Sequence, residues 1–236
     1  MLKRQDYDIL LLENTVFVWR VIYLADSVFF DLDGTLTDSA EGITKCAQLA
    51  LSHFGIIYDD LDPLKVFVGP PLREMFPKFG VPADRVEEAV KVFRSRYLTV
   101  GKFENSPYAG IPQMLSELKA RGKKLFITTS KPETTAKEIL SHFDLDGYFD
   151  CICGATMDGS RDSKESVISH LLTQTEDLGT VVMVGDTAFD VIGASAHGIP
   201  TIGVSWGYGK ICDMESAGAK AIATTTTELV DLICQI

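Results

Sequence analysis

Positive charge is what the chain has least of: 22 Lys and Arg stand against 33 Asp and Glu, a formal net charge of -11 with a pI near 4.8. So acidic a chain repels a phosphate backbone, which argues against nucleic acid as a partner. Histidine is scarce too. His53, His142 and His170 fall in helical-looking segments and His197 precedes Gly198 at a helix end, and none has a serine or cysteine beside it to nominate a triad. The cysteines, Cys46, Cys151, Cys153, Cys212 and Cys234, are odd in number and sit mostly in apolar context, as expected of reduced core thiols in a cytoplasmic protein. Cys151-Ile-Cys153 has no second pair or spaced histidine to complete a zinc site.

Long uninterrupted apolar runs are also missing. Ile9 to Leu24 is the nearest approach, but Glu13, Asn14 and Arg20 interrupt it, and it falls short of a membrane span. It lacks the basic, apolar and small-residue order of a signal peptide, so no membrane partner is expected. Residues 1–25 read as an N-terminal extension that could be an added edge strand, an oligomer contact or a start-site effect; the oligomeric state is left open. Gly203 to Gly209 is not a dinucleotide fingerprint, because it leads into a loop and does not open a helix.

What is present is a globular composition, 46% hydrophobic and 23% charged over 236 residues, enough for one large core or two modest domains. Within it, Asp31-Leu-Asp33-Gly34-Thr35 follows the apolar run Ser27 to Phe30. Carboxylates at the end of a buried parallel strand face the crevice where ligands bind. One could attack phosphorus as a nucleophile (Asp31) while the other exchanges protons with the leaving oxygen and the attacking water (Asp33). Gly34 permits a tight turn, and Thr35 offers a hydroxyl and an amide. Taken alone, the string is equally well a polar turn.

Three later segments supply what a phosphoryl-transfer site would still need. Lys124 to Thr128 reads as a strand running into Thr129, Ser130 and Lys131, whose hydroxyls and amides could hold phosphate oxygens. Val181 to Val184 reads as another, ending at Gly185-Asp186 with Asp190 four residues on. Between them lies Lys164, a point positive charge able to neutralise the nucleophile and the transferred phosphate.

From about Ser27 onward this order resembles the haloacid dehalogenase superfamily, and within it the phosphoglycolate phosphatase-like members. The family's DxDGT motif is met by Asp31, Asp33, Gly34 and Thr35, its Thr/Ser motif by Thr129, its lysine motif by Lys164 and its GDxxxD motif by Gly185, Asp186 and Asp190. The resemblance implies a Mg2+-dependent phosphatase acting through an aspartyl-phosphate on a small phosphorylated metabolite. The metal would be held by Asp31, the backbone carbonyl of Asp33 and Asp186, with Asp190 behind them or acting through a water. The candidates for substrate are phosphoglycolate and a nucleoside monophosphate; the alternatives are a phosphosugar mutase and a catalytically silent binding protein. One departure concerns the lysine: relatives often have KPxP, whereas here the run is Asp162-Ser-Lys164-Glu-Ser. Lys131 competes for that role, although a lysine before Pro132 reads as a solvated loop residue.

Organisation follows the same lines. Strand-like runs alternate with helical segments (Glu133 to Phe143, Glu165 to Leu172, Phe189 to Ala196, Glu228 to Ile233), with further strands near Tyr148 to Ile152, Thr201 to Val204 and Lys220 to Ala223. That alternation indicates an α/β fold with a parallel sheet, a Rossmann-like three-layer core made of residues 26–38 and 109–236. Between Asp38 and Tyr108 apolar residues recur at helical spacing, as in Ile43, Ala47, Ala50, Leu51 and Phe54, and again in Val86, Ala89, Val90, Phe93 and Tyr97. About four helices are expected there, forming a cap domain over residues 39–108. Its Phe67-Val-Gly69-Pro-Pro-Leu-Arg73 segment resembles the cap's substrate-facing loop in phosphoglycolate phosphatase-like members, which makes Arg73 a candidate for meeting a substrate carboxylate or phosphate.

Overall fold

The computed structural model describes residues 25–235; the proposed roles of residues 1–24 lie outside this range. Four-residue β1 (Ser27–Phe30) is buried throughout and runs parallel to β4 (Lys124–Pro132) on one side and β6 (Val181–Gly185) on the other. β5 (Cys151–Ala155) flanks β4, while β7 (Thr201–Val204) and β8 (Ala221–Ala223) extend the opposite side, giving the order β5-β4-β1-β6-β7-β8. All five pairings are parallel. The chain builds outward through β4 and β5, then crosses β1 to continue at β6, and that reversal creates a crevice at the carboxyl ends of β1, β4 and β6.

Alternation along the strands places one set of side chains on each face. Val28, Phe30, Leu125, Ile127, Val182 and Val184 pack with the apolar faces of α4 (Ile111–Ala120), α5 (Glu133–His142) and α9 (Thr226–Ile233). Phe29, Phe126 and Met183 point the other way, against α6 (Lys164–Gln174) and α7 (Ala188–Ser195). The core is therefore a three-layer α/β sandwich, and α8 (Ile211–Ala217) packs beside α7.

The insertion leaves and re-enters through a small antiparallel pair, β2 (Thr37–Asp38) with β3 (Ser106–Pro107). Between them α1 (Ala40–His53), α2 (Leu72–Lys78) and α3 (Val86–Tyr97) enclose a separate cluster that includes Leu51, Phe67, Phe76, Ala89 and Phe93. Three α-helices and three short 3-10 turns (Asp62–Phe67, Ala83–Arg85, Gly101–Phe103) stand where about four helices were expected. Proline explains the shortfall: Pro70 and Pro71 cannot extend a helix from Asp62–Phe67, and Pro82 confines the chain before α3 to a single turn. The strand expected at Tyr148 to Ile152 begins three residues later, at Cys151, because Asp146–Tyr148 turns and lets Tyr148 and Phe149 pack on the core. Of the cysteines, all free, Cys46 and Cys153 are buried, but Cys212 is exposed, against the expectation of a core thiol.

Candidate active site

Six charged side chains converge at the crevice, each no more than 8% exposed: Asp31, Asp33, Lys131, Lys164, Asp186 and Asp190. Asp31 leaves the end of β1, Asp186 the end of β6, Lys131 lies in β4, and Lys164 and Asp190 come from the first turns of α6 and α7. Residues far apart in sequence meet because the parallel sheet brings those strand ends to one edge.

Lys164 is the hub of one half. Its ammonium lies 2.6 Å from Asp31 Oδ1 and 2.8 Å from Asp190 Oδ1, and it donates to the Thr128 carbonyl at 2.7 Å. Ser163 caps α6, accepting from the Ser166 amide, and so fixes Lys164 at the first helical position. A cation there opposes the helix dipole; the two carboxylates compensate. Asp190 is held from its other oxygen, which accepts from the Thr187 amide at 3.0 Å and hydroxyl at 2.8 Å, a capping box opening α7.

Lys131 is the hub of the other half, and here the structure corrects the expectation of a solvated loop lysine. It is buried in β4, 2.8 Å from Asp33 Oδ2, and donates to the Tyr97 hydroxyl of α3. Each lysine has its own carboxylate: Lys164 pairs with Asp31 and Lys131 with Asp33. No local signal marked it: a lysine before proline reads as loop, and only the continuation of β4 through Lys131 carries its side chain into the site. Asp33 Oδ1 is buried with no hydrogen-bond partner among the described residues.

Asp186 shows how tightly the sequence is fitted. Its Oδ2 accepts the Tyr208 amide at 2.8 Å and its Oδ1 faces the Thr35 hydroxyl at 3.4 Å. Gly34, at φ +86°, passes so close that a Cβ there would lie 2.3 Å from Asp186 Oδ2. Gly207 is similarly constrained, with a Cβ 2.3 Å from the Asp186 Cβ. The Gly203 to Gly209 stretch therefore wraps the acid, and Trp206 ties it to the first motif by donating to the Thr35 carbonyl at 3.0 Å. Thr35 and Gly34 thus support Asp186, a role their motif did not disclose. Thr129 is buried in β4 and its hydroxyl accepts the Lys131 amide at 3.2 Å; Ser130 lines the crevice. Arg73 stands apart: its guanidinium is engaged by both oxygens of Glu87 and lines an adjoining cavity.

The electrostatics call for a cation. Four buried carboxylates face two buried ammoniums, an excess of two negative charges. Burial raises the Asp31 carboxyl to about 6, with Lys164 opposing and Asp190 adding to the rise. Burial, with Asp190 and Asp31 nearby, pushes Asp186 well above the usual carboxylate range. Asp31, Asp186 and Asp190 each offer an oxygen within 4.8 Å of the others. An all-oxygen set of this kind with water positions to spare suits a hard divalent ion, so the residues present fit magnesium. The Asp33 side chain is outside this group, turned toward Lys131.

Comparison with known proteins gives this arrangement its relatives. The family model for haloacid dehalogenase-like hydrolases matches residues 28–204. A Pseudomonas aeruginosa protein named 5'-nucleotidase is 44% identical over 186 residues, 78% of this chain and 84% of that one. A Mycobacterium tuberculosis protein named tyrosine-protein kinase PtkA is 43% identical over 205 residues, 86% of this chain and 70% of that one. The crystal structure of a phosphatase from Clostridium acetobutylicum, itself so named by prediction, superposes with a TM-score of 0.86 at 41% identity, covering 90% of this chain and 100% of that one.

Proposed function

We propose that this chain, which belongs to the haloacid dehalogenase-like hydrolases, hydrolyses a small phosphate monoester through a phosphorylated Asp31. The observation that carries the reading is the division of labour between the two carboxylates, each with its own buried lysine. Lys164 holds Asp31 Oδ1, which leaves Oδ2 to attack phosphorus. As the new O–P bond forms, the ester P–O bond breaks, and Asp33 delivers a proton to the departing alkoxide. Its free Oδ1 is the oxygen able to do so, since Oδ2 is held by Lys131. Asp33 then takes a proton from the water that attacks phosphorus, the Asp31–phosphate bond breaks, and inorganic phosphate leaves. Thr129 and Ser130 at the end of β4 offer hydroxyls and amides to the phosphate oxygens.

Mg2+, held by Asp31, Asp186 and the Asp33 carbonyl and steadied by Asp190, would supply charge that offsets repulsion between carboxylate and phosphate. The cap in this reading is residues 39–108, docked where Tyr97 meets Lys131, and it excludes bulk water while the phosphoryl group is on the enzyme. Family likeness makes glycolate, from phosphoglycolate, one candidate alcohol, and the name of the P. aeruginosa relative makes a nucleoside another.

Magnesium-dependent phosphate release from an aryl phosphate tests the reading. Asp31→Asn is expected to lower kcat by about a thousandfold or more; equal rates in the two proteins would refute it.

A further inference from the structure

Asp33 is held at one point. Its Oδ2 meets the Lys131 ammonium at 2.8 Å, while its Oδ1 is buried with no hydrogen-bond partner among the described residues. A carboxylate anchored through one oxygen is aimed by whatever fixes the anchor, and this anchor ends a flexible four-carbon stem. How Lys131 is fixed therefore decides where the free oxygen points.

Both ends of the lysine are fixed, each from a different part of the chain. At the backbone, β4 pairs with β5 through Thr129 and Gly154 and next through Pro132 and Ala155, so it bulges over Ser130 and Lys131. Bulges re-aim side chains. Gly154 lets β5 close on this one, because a Cβ there would lie 2.5 Å from the Lys131 carbonyl oxygen. At the far end the ammonium donates to the Tyr97 hydroxyl, its one hydrogen-bond partner besides Asp33 among the described residues. Tyr97 is the last residue of α3, buried, and stacked on Phe93 at 5.3 Å. Gly101 passes so close that a Cβ there would lie 3.1 Å from Tyr97 Cδ2. A ring gripped in this way gives the ammonium a fixed point. Burial, with Lys131 opposing, pushes the Tyr97 hydroxyl up to about 12, so it is neutral and able to accept at neutral pH.

Resting on the phosphatase reading, we infer that Tyr97 is a positioning residue for the proton transfers of Asp33: through Lys131 it turns Asp33 Oδ1 toward the leaving oxygen and then toward the attacking water. The insertion thereby supplies a polar group that acts on the chemistry, in addition to its apolar wall. Tyr97→Phe isolates that role, because it removes the hydroxyl and keeps the ring that stacks on Phe93.

The test compares esters that differ in their need for an acid. The phenolate of p-nitrophenyl phosphate leaves without a proton, whereas the alkoxide of an alkyl ester needs one; phosphoglycolate or a nucleoside 5'-monophosphate serves, whichever the wild type turns over faster. The ratio kcat/KM reports the steps up to departure of the alcohol, and kcat reports also hydrolysis of the phosphorylated Asp31, where Asp33 acts as base. Tyr97→Phe is expected to lower kcat/KM for the alkyl ester about tenfold and to leave that for the aryl ester within about twofold of the wild type. With the aryl ester kcat and KM fall together, and phosphorylated enzyme accumulates in the steady state. Lys131→Met is expected to give the same pattern, and adding Tyr97→Phe to it costs nothing further, the non-additivity of two residues acting in series. Melting temperatures confirm that each variant is folded.

Equal losses of kcat/KM with the two kinds of ester, as a merely loosened insertion would give, overturn the inference. So do rates unchanged by Tyr97→Phe, and a double variant whose losses multiply. In each of these cases a wild type that turns over with Asp31 phosphorylated leaves the phosphatase reading standing. A wild type that releases no phosphate from any of the esters refutes that reading and the inference with it.

Discussion

At the residue scale, the site depends on glycine and lysine as much as on its acids. Gly34→Ala places a methyl 2.3 Å from Asp186 Oδ2, far inside van der Waals contact, and forces a side chain into a positive φ. Asp186 must then shift, so we expect the variant to remain folded but to lose most of its magnesium response, measured as the increase in melting temperature on adding the ion. A response equal to that of the wild type would contradict the account of Gly34. The two lysines separate as well. Lys164→Met leaves Asp31 and Asp190 facing each other without the ammonium between them, a loss of about 3–5 kcal/mol of stability from uncompensated buried charge. Urea unfolding of the two proteins, with and without magnesium, measures it, and added magnesium is expected to recover part.

The acids and Lys164 could be recognised from sequence because each motif follows an apolar run that the fold turns into a strand or its neighbour. Lys131 could not. Its proximity to Pro132 signals a loop, and only the continuation of β4 to residue 132 buries it against Asp33. The pairing of Arg73, in the first turn of α2, with Glu87 on α3 was not legible either, because the two are 14 residues apart and no local pattern predicts it.

At the scale of elements, α1 and α3 are held to the return strand by Glu104. Its carboxylate takes both Nη groups of Arg96, at 2.6 and 2.9 Å, and Lys45 at 3.0 Å. The Arg96 bonds, more than any other interaction, hold its pKa down to about 2. Because the folded value is below the ordinary one near 4.5, the contribution is complete above about pH 4.5 and lost as pH falls toward 2. Glu104→Gln should therefore cost about 1–2 kcal/mol at pH 7, less than the full electrostatic figure because water reaches the group, and much less at pH 3. Denaturant midpoints at the two pH values decide it; a cost that does not shrink in acid would mean the group matters for packing alone.

Core strands and helices were readable because alternation and helical spacing both report burial, and burial is what the sheet enforces on Val28, Phe29 and Phe30. The short pair β2 and β3 was not. Two residues carry no periodicity, and that pairing exists only because the insertion must leave and return at one place.

At the scale of the molecule, the excess of buried negative charge in the crevice comes from groups carried on β1, β4, β6, α6 and α7 or at their ends, so binding a divalent ion should stabilise the whole fold. Magnesium well above its dissociation constant is expected to raise the melting temperature by several degrees, and Asp186→Asn to remove most of that rise. A wild type indifferent to the ion would contradict the charge argument. The net charge of -11 would be no obstacle to an anionic substrate, since the two buried lysines, and a divalent ion if bound, would act within a few ångströms.

The central claim is that the Asp31 carboxylate becomes joined to phosphorus. Acid quenching of enzyme mixed with substrate and magnesium, followed by peptide mass analysis, tests it most directly. The account predicts one added phosphoryl group on the peptide that carries Asp31, absent from Asp31→Asn and lost on treatment with hydroxylamine. A phosphoryl group on any other residue, or turnover with no labelled peptide under conditions that trap acyl phosphates, would contradict it.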